Sequence, residues 1–261
     1  MNLDISFSYI FSNSIQRFSV TSYGGISFSA LTGYTMVLSG STPTYYLIDH
    51  TSNRVIIFNK NWVYQIYQNL PLSTNSFALV YLSGFFYITS DSYFYKTDSN
   101  FALISSYSVY SRGIYYDSSS SLFYVVCPTS YLVYLFTSSL TVSTTISFSS
   151  YWEPHGIYGY GGNVYVSCWS ANVVIVLQNK VITRYYQVTS LCSSTGLSSL
   201  TFDTFGYASV TCQNSNYIVL YDSNGNYLNK YMSITSGTTV SAIDQNGRLI
   251  TTSYSQLTIY Y

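Results

Sequence analysis

A unit of two short strands around a polar turn recurs six times along the chain. The copies read YYLIDHTSNRVIIF from Tyr45, FYITSDSYFYKT from Phe86, FYVVCPTSYLVYLF from Phe123, VYVSCWSANVVIVL from Val164, ASVTCQNSNYIVLY from Ala208 and RLITTSYSQLTIYY from Arg248. The equivalent position is Asp49, Ser90, Cys127, Cys168, Cys212 and Thr252, so successive copies lie 41, 37, 41, 44 and 40 residues apart. Apolar residues alternate within each copy, and almost no window has helical periodicity. Repeats of this length that cannot bury their own faces stack against neighbours, and about 40 residues is the size of one propeller blade.

The flanks of each copy supply two more strands. A short strand and a tight turn precede it: Gly113–Asp117 then SSSS, Gly156–Tyr160 then GG, Leu200–Thr204 then FG, Ser241–Asp244 then QNG. A polar turn and a fourth alternating strand follow. Asn, Asp and Gly suit these turns because they tolerate positive φ or bond their own backbone. All four prolines (Pro43, Pro71, Pro128, Pro154) fall in predicted turns. Four strands in each of six units predict an all-β chain folded as one β-propeller domain over residues 1–261. The expected blades are 34–70, 71–110, 111–150, 151–191, 195–234, and 236–261 completed by 4–20. In this scheme an N-terminal strand closes the last blade and protects its edge. The long stretch Thr21–Gly33 leaves a seventh, incomplete blade as the alternative.

Charge narrows the function classes. Lys and Arg number 9, Asp and Glu 9, and only 7% of residues are charged, against about 25% in an ordinary soluble domain. No basic patch exists to neutralise a row of phosphates, so nucleic-acid binding is not expected. The longest apolar run, Phe77–Ile88, is too short for a membrane span. The N-terminal residues carry an acid and no basic segment, unlike a secretory signal. No Asn-x-Ser/Thr sequon occurs despite 17 Asn, which fits either a face kept free of glycans or a sequence that avoids a glycosylating machinery it meets. The 32 Tyr stand where a normal sheet shows Lys or Glu, and Tyr suits protein interfaces and sugar stacking.

The segments YLIDHTSNRVIIFN and PHGIYGYGGNVYVSCWSANVVIVL resemble NHL-repeat and lactonase-like propellers. The matching positions are Asp49, Asn53, Arg54 and Val55 in the first blade, and Pro154, Gly156, Ile157 and Asn172 in the fourth. The resemblance implies the fold. The Tyr-, Ser- and Thr-rich, charge-poor composition also resembles structural proteins of hyperthermophilic archaeal viruses. That resemblance implies a virion-associated or extracellular protein without a signal peptide, a cytoplasmic one being the alternative. Few carboxylates also mean that few protons bind as pH falls.

The candidate site centres on Trp152–His155, which has no counterpart in other blades. Glu153 is the only glutamate and His155 one of two histidines. As a pair they can serve as acid and base or share a metal; a plain surface turn is the competing reading. His50, which follows Asp49 at another predicted loop, and Trp169 join Trp152, Glu153 and His155 as binding residues. Asp117, Asp203 and Asp244 are alternative cation ligands around the channel, or Asx-turn formers. Cys127, Cys168 and Cys212 read as buried small apolar residues, too far apart to bridge one another. No cofactor is expected. The function expected is a non-enzymatic binding or structural module that contacts a protein or glycan of a host surface, or another virion protein, through Tyr-rich loops. A lactonase- or lyase-like enzyme using Glu153 and His155 is the alternative.

Overall fold

The computed structural model describes residues 17–20, 22–23, 26–39, 42–188, 190–192, 195–234, 237, 240–243, 248–253 and 256–260. They form six four-stranded antiparallel sheets and one short hairpin, Ser22–Tyr23 with Ile26–Ser27. In five sheets the strands run in chain order, as in the fourth blade: Pro154–Tyr160, Asn163–Cys168, Val173–Gln178 and Val181–Gln187. The sixth blade takes Val240–Ile243, Leu249–Ser253 and Gln256–Tyr260, and its fourth strand is Arg17–Val20, with Arg17 opposite Tyr260 and Val20 opposite Leu257. The N-terminal strand therefore closes the ring at six blades. The preceding part of 4–20, up to residue 16, and Asp244 lie outside the described residues. Among the described residues no helix is long and apolar enough to cross a membrane.

The core is divided into six clusters, one between each pair of neighbouring blades. Leu31, Leu47 and Phe58 of the first blade pack on Ile250, Leu257 and Ile259 of the sixth, so the ring is continuous across the closure. Ile48 and Val55 meet Leu79, Phe86 and Ile88 of the second blade, while Val126, Val133 and Leu135 meet Val166 and Ile175 across the third and fourth. Residues of one strand feed both neighbours because successive side chains point to opposite faces. This explains why second and third strands read as near-continuous apolar runs: both faces are covered.

A single turn design joins most outer strands. The side chain of Asn59, Asp98 or Asp222 accepts from the backbone N–H two and four residues on, at 2.8–3.0 Å. The residue three positions on then adopts positive φ: Trp62, Phe101 and Gly225. Trp62 and Phe101 carry large rings in a left-handed conformation that bulky side chains avoid. Both rings are buried between blades, and that burial offsets the backbone cost.

Two prolines depart from the expected turns. Pro43 lies inside the strand Thr42–Asp49, beyond the reach of the third strand, and Pro154 opens the strand Pro154–Tyr160. Both positions leave the missing N–H harmless. Tyr also differs from expectation. Among the described residues only Tyr67, Tyr151 and Tyr185 are strongly exposed. Tyr87 and Tyr165, at equivalent positions, bury their rings and donate to Ser138 O and Ser223 O on a turn of the next blade, at 3.1 and 3.3 Å. Lys96 and Arg184 reach the same two carbonyls. These tyrosines act as interblade straps, with an apolar body and a polar tip.

Cys212 is bonded to Cys192, with Cα atoms 5.4 Å apart, whereas Cys127 and Cys168 are free and buried. The partner of Cys212 comes from the segment entering its own blade, a pairing that the comparison among equivalent positions missed.

Candidate functional site at the channel mouth

First strands line a central cavity of about 930 Å³. Four of them make a bulge near their start, seen in the register between Leu31 and Gly33, Ser76 and Ala78, Pro154 and Gly156, and Leu197 and Ser199, and in the third blade Arg112 N–H and Gly113 O both bond Val126 at the same place. The residue at the next position is small in every blade: Gly33, Ala78, Gly113, Gly156, Ser199 and, in the sixth, Ser241. Neighbouring first strands approach closest there. A Cβ on Gly113 would stand 2.6 Å from His155 O, and one on Gly156 would stand 2.9 Å from Ser198 O. The bulged residue just before is turned toward the channel mouth and includes Thr32, Phe77, Arg112, His155 and Ser198. A second set comes from the turns between second and third strands: His50, Trp169 and Gln213. Backbone bonds tie the two sets together, among them His50 N–H to Ala30 O at 2.7 Å, Trp169 N–H to Glu153 O at 2.7 Å and Gln213 N–H to Gly196 O at 2.9 Å.

On one side of the mouth, His155 Nε2 lies 3.2 Å from Glu153 Oε1. The imidazole stacks on Trp169 with ring centres 4.8 Å apart. Burial pushes the His155 pKa below its ordinary value, although Glu153 pulls the other way and Arg112 adds to the lowering. The Glu153 pKa is lowered by its bond to His155 and by the charges of His155 and Arg112. The pair therefore rests as neutral imidazole beside carboxylate. On the other side, His50 bonds Ser76 O through Nδ1 at 2.9 Å and lies against Phe77, with centres 4.5 Å apart. Burial lowers its pKa too. The Arg112 guanidinium stands 3.9 Å from the Phe77 ring centre, and its Nε donates to Tyr110 Oη at 2.7 Å.

The structure thus gathers Glu153, His155, His50 and Trp169 around one cavity. Trp152 packs on Tyr185 and on the core between the third and fourth blades, away from the cavity lining. Asp117 and Asp203 sit at the far ends of first strands, in different blades. Asp117 accepts from Ser119 N–H and Oγ and from Ser120 Oγ, and Asp203 from the N–H groups of Phe205 and Tyr207. Each closes its own turn, and neither lines the central cavity. Asp49 is buried and accepts from Ser29, from Ala30 N–H and from Arg54, binding the segment that leads into the blade to the far side of its own turn. Sequence reasoning missed Arg112 and Phe77. The signal was present in the repeat itself: Arg112-Gly113-Ile114 and His155-Gly156-Ile157 are the same three positions of adjacent blades.

No protein-family model matches the chain, and no curated protein sequence matches it. Solved structures do. The chain is similar to virginiamycin B lyase from Staphylococcus aureus, with a TM-score of 0.71, 12% identity, and coverage of 95% of this chain and 98% of that one. It is similar to a streptogramin B lyase with a TM-score of 0.68 and 11% identity, covering 95% and 97%. A catalytically inactive variant of the Staphylococcus aureus lyase with quinupristin gives 0.70 and 11%, covering 95% and 99%. At such identity the likeness establishes a shared propeller fold.

Proposed function

We propose that this propeller binds a small molecule at the mouth of its central channel. The observation that carries the reading is the convergence on one cavity of five side chains from the same two blade positions: Phe77, Arg112, His155, His50 and Trp169. A concave site of this volume, walled by rings and inner strands and furnished with charged groups, an imidazole pair and hydroxyls, has the features of a ligand pocket. The Tyr-rich loops are a weaker basis for recognition, because most tyrosine rings are spent between blades. Attachment to a host surface and association with virions rest on composition alone. Ligand-observed NMR with a fragment set, on the full chain and on H155A and W169A, tests the proposal. Fragments that bind the parent chain and lose contact in both variants support it. Fragments that bind all three chains alike overturn it, as does a set in which none binds.

A second reading is enzymatic, and the Glu153–His155 pair favours it. A neutral imidazole held by a carboxylate can take a proton from a substrate, the carboxylate then balancing the imidazolium. The three structural neighbours above are themselves described as lyases. Turnover of a panel of lactones and cyclic depsipeptides, abolished in H155A, supports catalysis. Absence of turnover across the panel by a chain that binds fragments at the mouth leaves the binding reading.

A further inference from the structure

Arg112 is the one cation lining the central cavity among the described residues. Its surroundings hold it without neutralising it. Phe77 supports one face of the guanidinium at 3.9 Å, and Tyr110 lies 5.6 Å from it and accepts from Nε. Phe77 is itself braced by Tyr110, edge to face at 6.0 Å, and by His50. Among the described residues no carboxylate forms an ion pair with Arg112 and no acceptor bonds its two terminal nitrogens. A guanidinium kept flat on a ring presents those nitrogens as a preset fork, suited to a planar two-oxygen acceptor. The buried hydroxyl of Ser198, in the same ring of bulged residues, also lacks a partner.

Charge around the mouth limits what that acceptor can be. His155 and His50 are held toward the neutral form, and Glu153 carries a negative charge. One arginine then faces one carboxylate already present, which disfavours a doubly charged ligand group. The rest of the lining offers apolar and aromatic surface, with Met36, Val80, Tyr115 and Tyr158, interrupted by the hydroxyls of Thr35 and Thr201.

We propose that Arg112 is the anion-recognition residue of the channel mouth and that the ligand is a small organic monocarboxylate with an apolar body. The carboxylate lies against the guanidinium fork and the body enters the channel. This rests on the channel-mouth binding reading and adds the chemical class.

The test uses the full chain and two matched probes, 3-phenylpropionate and its neutral amide, titrated by calorimetry. The parent chain is expected to bind the acid at least tenfold more tightly than the amide. R112M keeps the apolar stem over Phe77 and should erase that preference while leaving amide binding in place. R112K keeps the charge and loses the planar fork, and should retain part of the preference, which also guards against a misfolded R112M. Equal binding of acid and amide by the parent chain overturns the anion assignment and leaves the channel-mouth site standing, provided W169A weakens both. A preference that survives in R112M also overturns the assignment. Binding of neither probe at millimolar concentration overturns the monocarboxylate assignment, while the fragment set on the parent chain decides separately whether the channel mouth binds small molecules.

Discussion

Arg54 places both Nε and Nη2 on Oδ2 of Asp49, at 3.0 and 2.7 Å, and its Nη2 also reaches Ser27 O. Oδ1 of the same carboxylate takes the N–H groups of Ser29 and Ala30. One buried carboxylate therefore joins the segment leading into the first blade to the far side of its second turn. D49A leaves two backbone donors unpaired and a largely buried guanidinium with Ser27 O as its remaining acceptor. It should cost about 3–5 kcal/mol, read by chemical denaturation. A loss below about 1 kcal/mol would mean that the network is decorative.

Contact between inner strands makes a second prediction. G156A puts a methyl group 2.7 Å from Ser167 Oγ and 2.9 Å from Ser198 O and Ser199 Cα. Two of these are backbone atoms of the next blade, so the strands must part. About 1–3 kcal/mol of stability should be lost. At Gly159 the three atoms nearest the added Cβ all belong to the far end of the Tyr115 ring, which yields more readily than backbone, so G159A should cost less. Thermal melts of the two variants side by side decide it.

The pH dependence follows from the two histidines. Burial lowers the pKa of both His155 and His50 in the folded chain. The unfolded chain therefore binds protons first, and stability should fall as pH drops below about 6.5. For His155 the slope has a ceiling of about 1.4 kcal/mol per pH unit, while half-buried His50 contributes less. The double variant H50Q/H155Q should flatten the profile between pH 7 and 5. A parent profile already flat there would refute the claim that burial dominates.

Thiol chemistry gives a fourth. Cys127 and Cys168 are buried, and burial pushes the Cys127 thiol pKa up to about 12 and that of Cys168 up as well. A thiol-reactive chromogen should label neither in the folded protein. It should label two thiols after unfolding, and four after unfolding with reductant. Reduction of Cys192–Cys212, which are 20 residues apart, should lower stability by about 3 kcal/mol.

The fold was readable because its determinants are local and repeated. Asp49, Cys127, Cys168 and Cys212 could be aligned by eye since each ends a second strand of alternating residues, and Asn53, Asn172 and Asn216 mark turns that need positive φ. The strand limits drifted where bulges shift register, as at Pro154. The site was only half legible. Glu153 and His155 stood out by rarity, but rarity also promoted Trp152, which packs elsewhere. Arg112 drew no notice because a lone arginine on an apolar strand has no local signature; its meaning comes from Phe77 and Tyr110, one of them 35 residues away in the chain. Tyrosine abundance misled for a similar reason: whether a ring faces solvent or the next blade depends on the sheet beside it.

The pairing of Arg17–Val20 with Leu257–Tyr260 joins segments separated by nearly the whole chain. Such a contact carries the largest loop-closure entropy in the molecule, and contacts of long sequence separation slow folding. The first five blades can assemble while synthesis continues, but the ring cannot shut until Tyr260 has left the ribosome. Until then the first and sixth blades each present an uncovered apolar face, and the nascent chain is at its most exposed to chaperones and to its own copies.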